Sequence, residues 1–96
     1  MLIYEVNVMV EPEAFDAFRA YLLDQHMQEV VEAGRFVKST LFVEQDIHTL
    51  VVQYEVNSIA DMDRYLSDHA LRMRDDAIER FGGKFTATRR FLEKVS

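Results

Sequence analysis

From Leu2 to Val10 the chain alternates, with Leu2, Tyr4, Val6, Val8 and Val10 on one side and Ile3, Glu5, Asn7 and Met9 on the other. A two-residue period rich in β-branched side chains predicts a strand with one buried face. Glu11 and Pro12 then open a helix, because proline at the first helical position gives up a donor that has no partner there. On a helical projection Phe15, Phe18, Leu22, His26, Val30 and Ala33 share one face, and Gly34 is the expected stop. Two more alternating runs follow, Phe36 to Glu44 and Leu50 to Asn57, joined by the short stretch 45–49. A connection that short predicts an antiparallel hairpin. In the second run Leu50, Val52, Tyr54 and Val56 form a clean apolar face. In the first the parity is open, because Val37, Leu41 and Val43 compete with Phe36 and Phe42.

Ser58, with Asp61 three residues on, resembles a capping box and opens a second helix. Ile59, Met62, Leu66, Ala70, Met73, Ala77 and Phe81 fall on one face of it, and Gly82 and Gly83 end it. At ~1.5 Å per residue this helix would reach about 35 Å, longer than the strands beside it, so a bend around Ala70 to Arg72 is expected. Lys84 to Leu92 gives the last strand, with Phe85, Ala87 and Phe91 opposite Thr86, Thr88, Arg90 and Leu92. The order β-α-β-β-α-β predicts a single ferredoxin-like α+β domain over residues 1–96. Two helices cover one face of a four-stranded antiparallel sheet of strand order 4-1-3-2.

The 96 residues hold 49% hydrophobic and 29% charged side chains, enough for one core and no second. Seventeen acids against eleven bases leave a net charge of −6, which argues against nucleic acid as a partner, since phosphates need a basic surface. The absence of cysteine excludes a disulfide framework, a thiolate metal site and a cysteine nucleophile. No apolar run exceeds the four residues Met1 to Tyr4, so neither a membrane span nor a signal sequence is expected, and the reading is a cytoplasmic domain. There is no glycine-rich phosphate loop and no nucleophile elbow, and no pair of histidines stands at chelating spacing on one helix. No metal or other cofactor is expected.

Candidate chemistry lies on the face of the sheet turned away from the helices. With strand order 4-1-3-2, Arg90, Glu5 and Glu55 come from three adjacent strands, with Asn7 and Gln53 beside them. One reading is a solvated face whose charges pair across strands. The other is an enclosed polar cluster in which an arginine holds a ligand carboxylate and a glutamate moves a proton. Ile3, Met9, Val51 and Leu92 form an apolar margin around this centre. A second copy packing sheet to sheet would bury that margin, so a homodimer is expected. The open-face positions that would stack bases in an RNA-binding sheet are here Glu5, Asn7, Gln53 and Glu55, which again argues against nucleic acid.

Of three histidines, His26 sits in the first helix's apolar stripe. It is either a partly buried structural histidine or a general base whose tautomer is held by Glu29 or Glu5. His69, beside Tyr65, is either a surface side chain or a metal or haem ligand, and His48 is an exposed loop residue. The arginines at 72, 74 and 80, alternating with Asp68, Asp75, Asp76 and Glu79, read as a solvated, ion-paired helix face.

The segments Ile3-Tyr4-Glu5-Val6-Asn7-Val8, Gln25-His26-Met27-Gln28-Glu29-Val30 and Gly34-Arg35-Phe36 begin a set of motifs that runs nearly the whole chain. Val52-Gln53-Tyr54, Tyr65-Leu66, His69-Ala70-Leu71-Arg72-Met73-Arg74, Arg80-Phe81-Gly82 and Arg89-Arg90 complete it. Together they resemble a bacterial family of short proteins of unknown function among the dimeric α/β-barrel proteins. The chain has Gln28 and Leu71 where that family often has proline, and the second difference weakens the expectation of a helix break. The resemblance implies a ferredoxin-like subunit that pairs through its open sheet face. The wider superfamily includes small monooxygenases, isomerases and cyclases with a pocket between sheet and helices. By that analogy His26, Asn7, Gln53, Tyr65, His69 and Arg90 are candidates; haem-degrading members share the asparagine and second-helix histidine but also use a tryptophan, which is lacking here. Two functions remain in play. One is a homodimeric module binding a small acidic or aromatic molecule. The other is a small cofactor-independent enzyme with His26 as base and Arg90 as anion anchor.

Overall fold

Each inward-facing side chain of the first strand meets the buried set of its neighbours, and this decides the sheet. In the computed structural model, which describes residues 1–45 and 47–96, β1 (Leu2–Val10) lies at the centre of four strands. It pairs antiparallel with β3 (Thr49–Val56) and with β4 (Phe85–Glu93), and β2 (Lys38–Val43) flanks β3, giving the order β2-β3-β1-β4. This is the predicted ferredoxin-like topology. The β2–β3 hairpin is as expected, although position 46 of its connection lies outside the described residues. Tyr4, Val8, Val10, Leu50, Val52, Tyr54 and Val56 all turn to the helix side and are buried.

The register settles the open parity of β2. Lys38 stands opposite Glu55 and Phe42 opposite Val51, so Lys38, Thr40 and Phe42 take the open face and Leu41 the core side. Phe36 is buried for another reason. Arg35, at φ 54, reverses the chain before the strand begins and drops the Phe36 ring onto Gly34. Gly34 is therefore the last helical residue rather than the left-handed stop, and its missing side chain serves close approach.

The first helical segment departs from a regular spiral. A short 3-10 turn at Pro12–Ala14 leads into α1 (Phe15–Tyr21), a π turn spans Leu22–His26, and α2 (Met27–Gly34) continues the same rod. Phe18, Tyr21, Leu22, Met27, Val30 and Gly34 are buried. The five-residue step from Leu22 to Met27 is too long for an α-helix. The wide turn absorbs the extra residue and keeps both side chains in the core.

The second helical segment breaks as its length required. α3 (Ile59–Asp68) is capped by the Ser58 hydroxyl, which accepts from the Asp61 N–H at 3.1 Å. His69, at φ −130, separates it from α4 (Ala70–Phe81). The break precedes the expected Ala70 to Arg72 and needs no proline. It also changes the buried stripe: Met62, Tyr65, Met73 and Ala77 are inside, while Ile59 and Leu66 face out. Gly82, at φ 59 and ψ −131, ends α4 in backbone that only glycine adopts readily. Among the described residues no helix is long and apolar enough to cross a membrane.

Candidate functional site

The sheet separates the expected site residues into two groups. Glu5, Asn7, Gln53, Glu55 and Arg90 lie on the open face, whereas His26 and Tyr65 lie on the helix side and line a cavity there. His69 lies on neither. It sits at the helix break, where its Nδ1 is 3.3 Å from the Arg72 guanidinium. His26 and Arg90 are thus on opposite faces of the sheet and cannot act on one small molecule as base and anchor.

On the open face, Glu5 is the hub. Cross-strand register puts it opposite Gln53 on one side and Arg90 on the other. Gln53 Nε2 donates to Glu5 Oε1 at 2.9 Å, Asn7 Nδ2 to Oε2 at 3.0 Å, and Arg90 Nε also reaches Oε2. Glu5 is only 2% exposed. Burial pushes its pKa up; the three donors outweigh this and hold it below the ordinary carboxylate range. Nearby, Lys38 Nζ pairs with Glu55 at 3.1 Å. Around these polar groups Met9 and Phe42 stay about half exposed, at 52% and 47%.

On the helix side a cavity of about 50 Å³ opens between β1, β4 and α4. Tyr4, Tyr54 and Tyr65 wall it, with Tyr4 stacked on Tyr54 at 5.7 Å and beside Tyr65 at 5.9 Å. Burial raises the pKa of all three, so their hydroxyls stay protonated. The π turn brings His26 to this wall, beside Tyr21. Tyr21 Oη donates to Asp76 Oδ2 at 2.7 Å and lies 2.9 Å from His26 Nδ1. The single phenol proton is committed to Asp76, so Nδ1 supplies the proton of the second bond. Nε2 is then the nitrogen with a free lone pair. Burial lowers the pKa of His26 below its ordinary value, against the opposing pull of Glu29 and Asp76, and the ring is neutral at pH 7.

The expected tautomer partners are therefore corrected. Glu5 is across the sheet, and Glu29 acts on His26 only through its field, with its Oε1 making no hydrogen bond. Asp76 is held below the usual carboxylate range, first by the Tyr21 hydroxyl and then, against a small burial effect, by Arg80, whose Nε is 3.5 Å away. Arg80 also lies over the Tyr21 ring at 4.9 Å. Tyr21 and Asp76 were not legible as site residues. They are far apart in sequence, and Asp76 looks like one charge among many on α4. Arg89 was legible in principle. It occupies an inward position of β4 between Ala87 and Phe91, and an arginine at such a position is itself a signal. Its Nε donates to Tyr4 Oη at 3.0 Å.

The chain matches, over residues 1–95, a domain of unknown function, DUF4286. No functionally curated protein matches the sequence. Among solved structures, a variant of SnoaB, a cofactor-independent oxygenase from Streptomyces nogalater, superposes with a TM-score of 0.73 at 16% identity, covering 99% of this chain and 94% of that one. An antibiotic biosynthesis monooxygenase superposes at 0.67 with 19% identity and full coverage of both chains. Rv0793 from Mycobacterium tuberculosis gives 0.65 at 23% identity, covering 100% and 97%. At these identities the likeness is one of fold. With the strand order, the helices on one face and the match along nearly its whole length, the chain belongs to the DUF4286 family and has the ferredoxin-like fold that these solved structures share.

Proposed function

We propose that the protein is a homodimeric module that binds a small molecule in the cavity between sheet and helices. The observation that carries this is the cavity itself, where a neutral histidine and two arginines face a wall of protonated tyrosines. Few polar groups set in an apolar lining are what a small-ligand site requires. Pairing through the open sheet face is supported by its apolar margin around an already satisfied carboxylate, and it leaves the helix-side cavity free. Native mass spectrometry of gently purified protein tests both parts. A dimer retaining a discrete small mass is expected, and Ala77→Leu, which fills the cavity, should lose the mass while staying dimeric. A bare monomer, or a mass that survives Ala77→Leu, refutes the reading.

A second reading, an enzyme without a cofactor, rests on the Asp76–Tyr21–His26 chain. A neutral imidazole with Nδ1–H tied back and Nε2 free is a general base for an acidic C–H or O–H in the cavity, as an isomerase, cyclase or monooxygenase would need. The supporting chain is testable without a substrate. Because the folded pKa of His26 is depressed, its contribution to stability is complete above its unfolded value of 6.5 and is lost as pH falls from there through the folded value. Melting curves from pH 8 to 5 should therefore show an acid-side loss in the wild type that is smaller in His26→Gln. Parallel curves would remove the buried, neutral base and this reading with it.

A further inference from the structure

The cavity opens into a groove lined by Tyr4, Leu66, Ala70, Leu71, Arg74 and Arg89, and four of these residues also line the cavity. Leu66 and Leu71 are 38% and 60% exposed there, so the groove is apolar apart from its two arginines. In a chain of net charge −6, neither arginine has a carboxylate within ion-pair distance among the described residues. The acids of α4 make no ion pair with them: Asp75, Asp76 and Glu79 border the adjoining groove on the far side of Leu71, with Arg72. Two like charges sharing one mouth repel, and an anion between them would relieve that.

Arg89 is also prepared for such an anion. Its Nε is spent on Tyr4 Oη at 3.0 Å, which orients the guanidinium and leaves its two terminal nitrogens as a fork. Its charge acts on Tyr4, Tyr65 and His26, so its field extends along the cavity wall. The cavity of about 50 Å³ takes only ~3–4 waters, whereas the groove outside adds about 260 Å³. A ring system would therefore lie mainly in the groove and reach inward towards His26.

We propose that the ligand is a ring-bearing monocarboxylate, its carboxylate held between Arg74 and Arg89 and its apolar body against Leu66, Leu71 and Tyr4. This deepens the cavity reading and rests on it. The probes are 2-naphthoate and its neutral amide, 2-naphthamide, which share a ring system and differ in charge, titrated calorimetrically into the full-length protein. Naphthoate should bind about tenfold or more tightly than the amide. Arg89→Gln and Arg74→Gln should each remove most of that preference. Arg89→Lys, which keeps the charge and loses the fork, should fall between. Raising the salt should weaken naphthoate alone. Equal binding of the two compounds, or a preference that survives both glutamine variants, overturns the carboxylate assignment while the cavity reading stands. Ala70→Trp, which blocks cavity and groove together, should abolish both; naphthoate binding that survives it places the anion elsewhere and also overturns the assignment. If neither compound binds at millimolar concentration, the cavity reading fails and takes this inference with it.

Discussion

Gly34→Ala is expected to destabilise the protein by about 2 kcal/mol, lowering the melting temperature by about 8–16 °C for a domain of this size. On propensity alone the change should help, since alanine in a helix is favoured over glycine by ~1 kcal/mol. The packing reverses the sign. A Cβ at this position would stand 2.4 to 2.6 Å from three atoms of the Phe36 ring. That ring cannot give way, because it is 6% exposed and wedged against Tyr65 at 5.2 Å, Tyr54 at 5.8 Å and Tyr4 at 6.5 Å. These three tyrosines also wall the cavity, so the strain would be felt at the site. Gly83→Ala is the control, since nothing lies within 4 Å of its added carbon. A second change, Phe36→Leu, should restore part of what Gly34→Ala removes. An unchanged or higher melting temperature for the single variant would show that the helix end and the Phe36 ring are not packed as described.

Glu5→Ala should separate a paired sheet face from a wet one. In a lone subunit the change removes three hydrogen bonds, but the Arg90 side chain is 63% exposed and its charge turns to water. The net loss would then be about 1 kcal/mol. Beneath a second copy, Arg90 would be left buried without its carboxylate, at about 3–5 kcal/mol, which weakens the dimer more than about 100-fold. Sedimentation velocity over a dilution series distinguishes the two, and a dimer that tolerates Glu5→Ala would remove the open face as its interface. Acid should act in the same direction. Because the folded pKa of Glu5 lies below its ordinary value of 4.5, its stabilising contribution is complete above that pH. It is lost as the pH falls through the folded value, and the dimer should dissociate there.

The candidate site was only partly readable. His26 stands out because it sits at a recognisable stripe position, whereas Tyr65 is a candidate only through the resemblance to the wider superfamily. The arginine chosen for the cavity was one residue off, and one residue along a strand is the whole thickness of the sheet. Arg90 faces the Glu5 cluster, while Arg89 faces the cavity. The Asp76–Tyr21 support for His26 left no local trace, because the partners meet across 55 positions of sequence.

What the sequence determined by itself was the element order, the strand order and the buried face of the central strands. Those follow from two- and four-residue periodicities and from chain connectivity, which are local and redundant over many positions. Helix irregularities were readable only as tension: the length of the second helix implies a break around Ala70 to Arg72, one residue past its place at His69, and the five-residue step from Leu22 to Met27 leaves no mark in the apolar stripe. The tertiary structure alone decided which polar residues share a compartment. A side chain's partner depends on one rotation of a helix or one step along a strand, and a small error in either moves a charge from a cavity to the opposite face. Hence Glu5 ends bound on the open face by Arg90, Gln53 and Asn7, and His26 ends neutral beside Tyr21 on the other.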